Sequence, residues 1–355
     1  ASSYLYNRQT DNSAVLSNLG DVYVSSDYIF TLSVQWERTE DEISGNTKKM
    51  TNTQNTKIYK FAYEKGIITP NAVGVVPGSV LNQFSIDEYN GYVRLVSTIE
   101  KRTYYENPLD KIGDIDREEE IYSSQFLEEN AVFVLDENLD ICGKVENIAK
   151  DENIYSARFM GDYGYFVTFR QTDPLFVVDL SDPLNPKILD ELKVTGFSDY
   201  LHPWEDNVLL GVGKEADERG RSTGVKLSLF DISDKTDISE ISKYVIENAY
   251  SSQMDDYKKM FVAPEKSLFG MQILGPYTEG EFADGNRNNR FWLFKYENGS
   301  FTDVLRYEYI DKDGYDYHDY RGLYIGDYLY IISVNKGIVP VNLNDYSVGE
   351  FVEFD

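Results

Sequence analysis

One stretch, Asn153 to Pro203, constrains the fold more than any other part of the chain. Its apolar runs at 158–160, 164–169 and 175–180, and an alternating run at 187–194, are rich in aromatic and β-branched residues. This pattern predicts four β-strands, and the Gly, Asp and Pro residues between the runs are typical of tight turns. Four antiparallel strands in one sheet cannot bury both faces alone. The sheet therefore requires neighbours of its own kind.

The sequence repeats this unit in degenerate form. The first half, FMGDYGYFVTF, is echoed at positions that begin at Val22, Phe84, Leu201, Phe261 and Leu323. The second half, LFVVDLSDPLNPKIL, is echoed at positions that begin at Ile58, Val132, Leu227, Phe291 and Ile338. First and second halves alternate along the chain, and four-stranded repeats at roughly 40 to 70 residues are typical of β-propellers. A single irregular antiparallel sandwich is the alternative.

The repeats predict an all-β fold, a β-propeller of four-stranded antiparallel blades. Six blades are expected, or seven if residues 1–20 combine with an unrecognised pair of strands. Otherwise residues 1–20 form a tail or one strand added to the last blade. The predicted blades occupy residues 21–78, 79–149, 150–196, 197–248, 249–311 and 312–355 of a single domain, 21–355. The length of 355 residues alone would suggest two or three domains, but a propeller is one closed domain. The best helical candidate is DREEEIYSSQFLEE at 116–129, inside an insertion.

Charge and composition exclude several classes of protein. The chain has 61 acidic against 34 basic residues and a net charge of −27, which argues against binding nucleic acid because phosphates would be repelled. It contains no run of eighteen apolar residues, so no transmembrane helix is predicted. Cys142 is the only cysteine, which rules out a disulfide within the chain and a Cys-based zinc site. It follows Ile141 in a predicted strand, where a buried small hydrophobic residue is expected.

Three segments carry a resemblance to a known family. They read LNQFSIDEYNGYVRL, SARFMGDYGYFVTFRQTDPLFVVDLSDPLNPKILDELKVTGFSDYLHP and VKLSLFDISD. They resemble a family of secreted bacterial and archaeal β-propeller-domain proteins, most densely from Leu81 to Asp234 and again in RGLYIGDYLYIIS from Arg321. The resemblance implies an extracellular protein, either secreted or bound to the cell surface. It implies no reaction and supplies no catalytic residues, because the function of the family is uncharacterised.

Propeller topology predicts where a binding site would lie. In each blade, the connection between the second and third strands shares one face with the connection to the next blade. The second-to-third connections vary most in length here, and they are predicted at 37–56, 102–130, 171–174, 215–224, 275–289 and 336–337. First-to-second connections stay tight, as at 161–163. Because loops carry function more often than scaffold strands do, the insertions predict a binding face.

The predicted face is acidic and rich in tyrosine, which suits calcium, amines, basic peptides or sugars. The ligand-binding candidates are Arg158, Asp199, Tyr200, His202, Asp255, Asp256, Tyr257, Tyr315 and His318. Arg158 is the candidate for an anionic ligand. The alternative for Arg158 is an ion pair with a carboxylate, for which Asp87, Glu88 and Asp173 are present.

A metal site is predicted in the last connector between blades. Asp311, Asp313 and Asp316 place three carboxylates around Gly314. Hard oxygen ligands of this kind suit calcium, which is the cofactor that the pattern suggests. The spacing differs from the twelve-residue EF-hand loop, and a polar turn between blades is the alternative.

Two functions fit these features. The first is a secreted or cell-surface binding or adhesion module, monomeric and non-catalytic, which binds a protein or a glycan at its loop-rich acidic face. The second is a carbohydrate-active hydrolase with paired carboxylates in a central funnel. Catalysis is less favoured, because His202 and His318 are the only histidines and neither a G-x-S-x-G motif nor a P-loop motif exists.

Overall fold

The computed structural model describes residues 20–44, 47–106, 122–169, 173–217, 219–276, 289–310 and 319–354. In these ranges the chain forms 24 β-strands and three short 3-10 helices, and the strands make five antiparallel sheets. No helix in the described ranges is long and apolar enough to cross a membrane. The chain divides into two compact units, which comprise Ala1–Arg170 with Phe176–Leu189, and Gln171–Leu175 with Asp190–Asp355.

The first unit begins with an eight-stranded sheet. Its strands are β1 (Val22–Val24), β2 (Tyr28–Ser44), β3 (Thr47–Glu64), β4 (Ile67–Pro77), β5 (Ile86–Tyr89), β6 (Tyr92–Glu106), β7 (Tyr122–Leu135) and β8 (Ile141–Ile148). The order across the sheet is β1-β2-β3-β6-β7-β8, while β4 pairs with β3 and β5 pairs with β6. Two meanders of four strands are thereby joined into one sheet.

Strand β3 joins the two meanders because its two halves have different partners. Residues 55–64 pair with β4, whereas residues 48–53 pair with residues 101–106 of β6. The far ends of β2, β3, β6 and β7 therefore form a four-stranded extension. We call it the arm sheet, and it comprises residues 36–44, 47–54, 100–106 and 122–128.

The arm sheet corrects two predictions. The connections predicted at 37–56 and 102–130 are paired strands and not long loops, apart from residues 45–46 and 107–121, which lie outside the described residues. The helix predicted over 116–129 is wrong in its described part, because strand β7 begins at Tyr122. The physical reason is that polar side chains occupy both faces of these strands. They lack the alternation of apolar and polar residues that marks a half-buried strand.

The second sheet confirms the four strands predicted between Asn153 and Pro203. Its strands are β9 (Asn153–Met160), β10 (Tyr163–Phe169), β11 (Asp173–Asp179) and β12 (Lys187–Val194), in the order β12-β11-β10-β9. The turn between β9 and β10 places Gly161 at a φ of 54°, a left-handed conformation that glycine adopts at little cost. The turn chemistry in the sequence was therefore sufficient to locate these strands.

The second unit contains three more sheets, each of four strands in chain order. Their strands are β13 (Phe197–Glu205), β14 (Val208–Ala216), β15 (Ser222–Asp231) and β16 (Ser239–Glu247); β17 (Phe261–Ala263), β18 (Leu268–Leu274), β19 (Asn289–Glu297) and β20 (Ser300–Tyr307); and β21 (Tyr320–Ile325), β22 (Tyr328–Ser333), β23 (Gly337–Asn342) and β24 (Val352–Glu353). The 3-10 helices are Ser252–Asp255, Tyr257–Lys259 and Pro264–Lys266. They lie on either side of β17.

The connection predicted at 215–224 is shorter than the sequence suggested. Strand β14 ends at Ala216 and β15 begins at Ser222. Asp217 closes the turn, because its Oδ1 accepts hydrogen bonds from the backbone N–H groups of Arg219 and Arg221, each at 2.9 Å. Most of the connection predicted at 275–289 lies outside the described residues. The number of blades and their limits stay predictions, since the first eight strands share one sheet.

Strand β7 contributes alternate residues to two hydrophobic cores. Phe133 and Leu135 lie in a buried cluster formed by strands of the eight-stranded sheet. Val132 and Val134 lie in a different cluster, which also contains residues of β9, β10 and β11. Successive side chains of a strand point to opposite faces, so the sheet is packed on both sides at β7. The second unit has a core of its own, built from β17 to β19 and β21 to β23.

Cys142 lies in a strand, as predicted, but it is half-buried and not fully buried. It packs against the cluster that contains Val132 and Val134. Its Sγ lies 3.4 Å from the carbonyl oxygen of Val134. Burial, followed by the negative charge of Asp136, raises the pKa of the thiol and so disfavours the reactive thiolate form.

Candidate functional site

Three of the predicted ligand-binding residues come together in the second unit. Tyr200 and His202 lie two positions apart on β13, so their side chains share one face of the strand. The Tyr200 hydroxyl and His202 Nδ1 lie 2.8 Å apart, and the Tyr200 ring stacks on the ring of Tyr257 with centroids 5.8 Å apart. Tyr200 itself is buried. A ligand at this cluster would therefore contact the half-buried His202 and Tyr257.

The predicted carboxylates of the same region contact lysines. Asp199 lies 3.9 Å from Nζ of Lys214, and Asp256 lies 3.8 Å from Nζ of Lys259. The structure describes the backbone of Asp255, which ends the 3-10 helix that begins at Ser252. A cationic ligand would compete with a lysine at Asp199 and at Asp256. The roles of these carboxylates in binding stay predictions.

Arg158 lies in β9 of the first unit and packs on an aromatic ring. Its Cζ lies 4.1 Å from the ring centroid of Phe84, a cation–π contact that fixes the guanidinium. Asp87, one of the carboxylates that the sequence offered as a partner for Arg158, forms an ion pair with the buried Arg94. The binding of an anionic ligand by Arg158 stays a prediction.

The remaining predicted residues lie outside the described part of the chain. They are Tyr315 and His318, and the calcium ligands Asp311, Asp313 and Asp316. The calcium site therefore stays a prediction. Within the residues that the structure describes, no group of three or more His, Cys, Asp or Glu side chains could hold a metal ion.

A cleft that the sequence did not predict lies on one face of the arm sheet. Trp36, Asn52, Glu100, Arg102 and Phe126 line it, and its volume is about 550 Å³. We call it the aromatic cleft. Asn52 lies opposite Arg102 across β3 and β6, and Arg102 lies opposite Phe126 across β6 and β7. These three side chains form one row across the sheet, because directly opposite residues share a face.

The two aromatic rings of this cleft are largely in solvent. The exposed fraction is 61% for Trp36 and 58% for Phe126. The rings stand on the outer strands of the arm sheet, β2 and β7, which are separated by three strand spacings, or about 14 Å. Large apolar groups that are exposed around one cleft mark a site of interaction.

The floor between the rings is polar. The Asn52 amide both donates and accepts hydrogen bonds, the Arg102 guanidinium donates, and the Glu100 carboxylate accepts. Within the described part of the chain, neither Arg102 nor Glu100 forms an ion pair. Their hydrogen-bonding capacity is thus open to a ligand. The cleft combines apolar ring faces at its ends with donors and acceptors at its centre.

A second carboxyl group lies beside Glu100. Glu128 is directly opposite Glu100 across β6 and β7, and the Cβ atoms of such pairs are about 5 Å apart. Burial, followed by the negative charge of Glu100, raises the pKa of Glu128. Glu128 therefore holds its proton more strongly than an ordinary glutamate does. The pair places one carboxyl group of raised pKa next to one of the residues that line the aromatic cleft.

Sequence reasoning missed the aromatic cleft because it assigned Asn52, Arg102 and Phe126 to loops. The signal that could have found it is the set of β-branched residues at Thr51, Thr53 and Thr56 within a polar stretch. Such residues are enriched in strands even where both faces are solvated. An exposed tryptophan at position 36, in front of that stretch, would then have indicated a ligand-binding surface.

Comparisons with known proteins agree with the sheets described above. The sequence matches a family described as "Beta propeller domain" over residues 3–346. An uncharacterised protein of Archaeoglobus fulgidus is 36% identical over 280 residues, and one of Methanocaldococcus jannaschii is 33% identical over 282 residues. Each match covers 79% of this chain but only 36% and 38% of the respective relatives. The crystal structure of Citrobacter koseri AztD is similar at a TM-score of 0.44 and 10% identity, over 96% of this chain and 86% of that chain.

Proposed function

Since the chain belongs to the family of β-propeller domains, the fold predicted from its repeats is confirmed, and we propose that it serves as a non-catalytic binding module. A fold by itself specifies no ligand, so the proposal depends on a site. That site is the aromatic cleft of the arm sheet, and its ligand is a glycan. The proposal includes an extracellular location, secreted or at the cell surface, where polysaccharides are accessible.

Two exposed rings above a polar floor are the observation that carries this proposal. The C–H faces of pyranose rings pack against aromatic rings, and Trp36 and Phe126 offer such surfaces. Sugar hydroxyls need both donors and acceptors, which Asn52, Arg102 and Glu100 supply between the rings. Small-ligand sites commonly combine aromatic walls with a few polar groups that fix orientation.

The size of the cleft favours an oligosaccharide over a protein partner. Its volume of about 550 Å³ lies within the range of roughly 300 to 1,000 Å³ for small-ligand sites. A stable protein interface needs about 800 Å² from each partner, and its centre is depleted of charged residues. The arm sheet around the rings instead carries charged residues such as Arg38, Glu40 and Lys48.

A glycan array, followed by calorimetric titration with the best ligand, tests the proposal. Trp36→Ala and Phe126→Ala should each weaken binding at least tenfold, a change of about 1.4 kcal/mol. Tyr63→Ala is the matched control, because Tyr63 is an exposed aromatic residue of β3 that lies outside the arm sheet. Its affinity should stay within about twofold of the wild type. The aromatic cleft is not a glycan site if no glycan of the array binds. The same follows if Trp36→Ala, Phe126→Ala and Tyr63→Ala bind the best glycan with equal affinity.

One observation favours a second function, a carbohydrate-active hydrolase. Glycoside hydrolysis uses two carboxyl groups on either side of the scissile bond, one of which acts as an acid of raised pKa, and Glu100 with Glu128 offers such a pair. Glu128 would act as the general acid and Glu100 as the partner carboxylate. Incubation with a bound glycan, followed by a reducing-end assay, tests this function. Hydrolysis would be established if sugar is released and Glu128→Gln abolishes this release without loss of binding. If no sugar is released, the binding module is the function that is retained.

A further inference from the structure

The other face of the arm sheet carries a second cleft, which we call the basic cleft. Its volume is about 540 Å³. Among the residues that line it are Lys49, Lys101, Thr103, Tyr105, Gln125 and Lys150. Apart from Phe126 of the outer strand β7, which lines both clefts, the residues from β3, β6 and β7 occupy odd positions, whereas the aromatic cleft uses even positions of the same strands. The alternation of side chains along a strand therefore separates the two clefts onto opposite faces.

Strand register places two of the lysines at opposite ends of this cleft. Lys49 lies opposite Tyr105 across β3 and β6, and Lys101 lies four positions before Tyr105 on β6. Four residues of a strand span about 14 Å. Thr103 lies between them and is buried, so it forms part of the floor. The third lysine, Lys150, follows β8 and is exposed.

The three lysines differ from their neighbours because no described carboxylate forms an ion pair with them. Lys48, the residue next to Lys49, binds Glu40 on the opposite face. Asp151 is the one acidic residue among those that line the cleft, and Asp41 lies opposite Lys49 across β2 and β3. The chain as a whole has 61 acidic against 34 basic residues. Three lysines around one cleft of so acidic a chain indicate an anionic ligand.

We propose that the basic cleft binds an acidic oligosaccharide, whose carboxylate or sulfate groups contact the three lysines. The ring of Tyr105 offers a face for a sugar ring, and the Gln125 amide and the Thr103 hydroxyl offer hydrogen bonds to sugar hydroxyls. A long polyanion is disfavoured because the net charge of −27 repels it. A short ligand interacts mainly with the lysines, since charges farther than about 8 Å are screened at physiological ionic strength.

This site is independent of the glycan site on the other face. Phe126 lines both clefts and therefore cannot separate them, whereas Trp36 lines the aromatic cleft and Lys49 lines the basic cleft. Trp36→Ala should leave the affinity for an acidic oligosaccharide within about twofold of the wild type. Failure of one proposal is thus distinguishable from failure of the other.

Calorimetric titration of the full chain tests the proposal with four probes: a short oligogalacturonate, a sulfated oligosaccharide, a neutral oligosaccharide of equal length, and inorganic sulfate. The double variant Lys49→Gln/Lys101→Gln should bind the anionic oligosaccharides at least tenfold more weakly than the wild type. The matched control is Lys65→Gln/Lys144→Gln, which removes the same charge from exposed lysines that pair with Glu64 and Glu146. It should bind within about twofold of the wild type.

The probes that bind identify the anionic group that the basic cleft recognises. Binding of the oligogalacturonate alone identifies a carboxylate, binding of the sulfated ligand alone identifies a sulfate, and binding of both identifies an anionic sugar in general. Added salt should weaken each of these interactions. The charge-retaining variant Lys49→Arg/Lys101→Arg should keep most of the affinity, and melting curves confirm that the variants fold. Four results would overturn the proposal. The neutral oligosaccharide could bind as tightly as the anionic ones, or the double variant could bind as tightly as the wild type. Inorganic sulfate could bind as tightly as the oligosaccharides, or no probe could bind at millimolar concentration.

Discussion

Asn130 is the residue whose replacement should report most directly on the architecture beneath the two clefts. It lies in β7 and is fully buried. Its Oδ1 accepts a hydrogen bond from the Thr98 hydroxyl at 2.8 Å, and its Nδ2 donates to the carbonyl oxygen of Glu152 at 2.8 Å. Nδ2 also lies 3.3 Å from the carbonyl oxygens of Ile148 and Ala149. One side chain thus ties β6 and β7 to the turn between β8 and β9.

That turn is strained. Ala149 and Asp151 in the turn, and Asn147 at the end of β8, have φ values of 44°, 62° and 60°, in the left-handed region that residues other than glycine rarely occupy. Each such residue costs on the order of 1 kcal/mol, and the conformation persists where surrounding contacts fix it. The turn also carries Lys150, one of the three lysines of the basic cleft. Asn130 therefore positions a proposed binding residue that it does not touch.

The expected effect of Asn130→Ala follows from these contacts. The two bonds of 2.8 Å contribute about 1 kcal/mol each, and the two longer contacts share one amide group and contribute less. Buried carbonyl groups that lose their donor add a further cost, so the free energy of unfolding should fall by about 2 to 4 kcal/mol. Asn138→Ala is the control, because Asn138 is exposed in the turn between β7 and β8, and its effect should stay within about 0.5 kcal/mol.

Urea unfolding measures the global effect, and amide hydrogen exchange measures the local one. Exchange should accelerate at Asp151, whose N–H donates to the carbonyl oxygen of Glu128 at 2.8 Å. Asn130→Ala should also weaken binding of acidic oligosaccharides at the basic cleft, because Lys150 would lose its fixed position. A loss of less than about 0.5 kcal/mol together with unchanged exchange at Asp151 would refute the reasoning.

Three further results are expected. Burial, and then the hydrogen bond to Asp303, raises the pKa of Tyr244 to about 12. The contribution of Tyr244 to the free energy of unfolding is therefore complete below the usual tyrosine pKa of about 10 and is lost as the pH rises towards about 12. In urea unfolding, Tyr244→Phe should reduce the fall of the free energy of unfolding with pH in this range. An unchanged dependence on pH would contradict this. Phe176→Ala should lower the free energy of unfolding by about 3 to 5 kcal/mol in the same assay, because Phe176 is buried and stacks on Phe166. A decrease below about 1 kcal/mol would contradict this packing. Millimolar calcium should raise the melting temperature and Asp313→Asn should remove the shift, whereas an unchanged melting curve would favour the polar turn.

Strands that bury at least one face were predictable from the sequence. The predicted runs at 164–169 and 187–194 coincide with β10 and β12 to within one residue, because an apolar run marks β10, an alternating run marks β12, and turn residues bound both. Tyr200 and His202 were predictable neighbours for the same reason, since residues two positions apart share a face of a strand. Local periodicity thus located both the scaffold and part of one candidate site.

The arm sheet and its clefts could not be predicted in this way. Their strands carry polar residues on both faces, so the period of two is absent from their hydrophobicity. The pairing of residues 48–53 with residues 101–106 joins segments that are distant in sequence, and no local pattern specifies it. Trp36 and Phe126 become parts of one cleft only through that pairing. The stacking of Tyr257 on Tyr200 likewise depends on the folded chain.

The outer position of β2 in the arm sheet has a consequence for self-association. No described strand pairs with the outer edge of β2 over residues 35–44, so its backbone donors and acceptors could template a strand of another molecule. Four carboxylates, Glu37, Glu40, Asp41 and Glu42, lie along this edge and repel the same edge of a second copy. Charged side chains on an edge strand disfavour its pairing with a second copy, so the acidic residues of β2 act against self-association through the arm sheet. Replacement of these residues by uncharged ones would remove that repulsion and leave the edge of β2 open to pairing with a second copy.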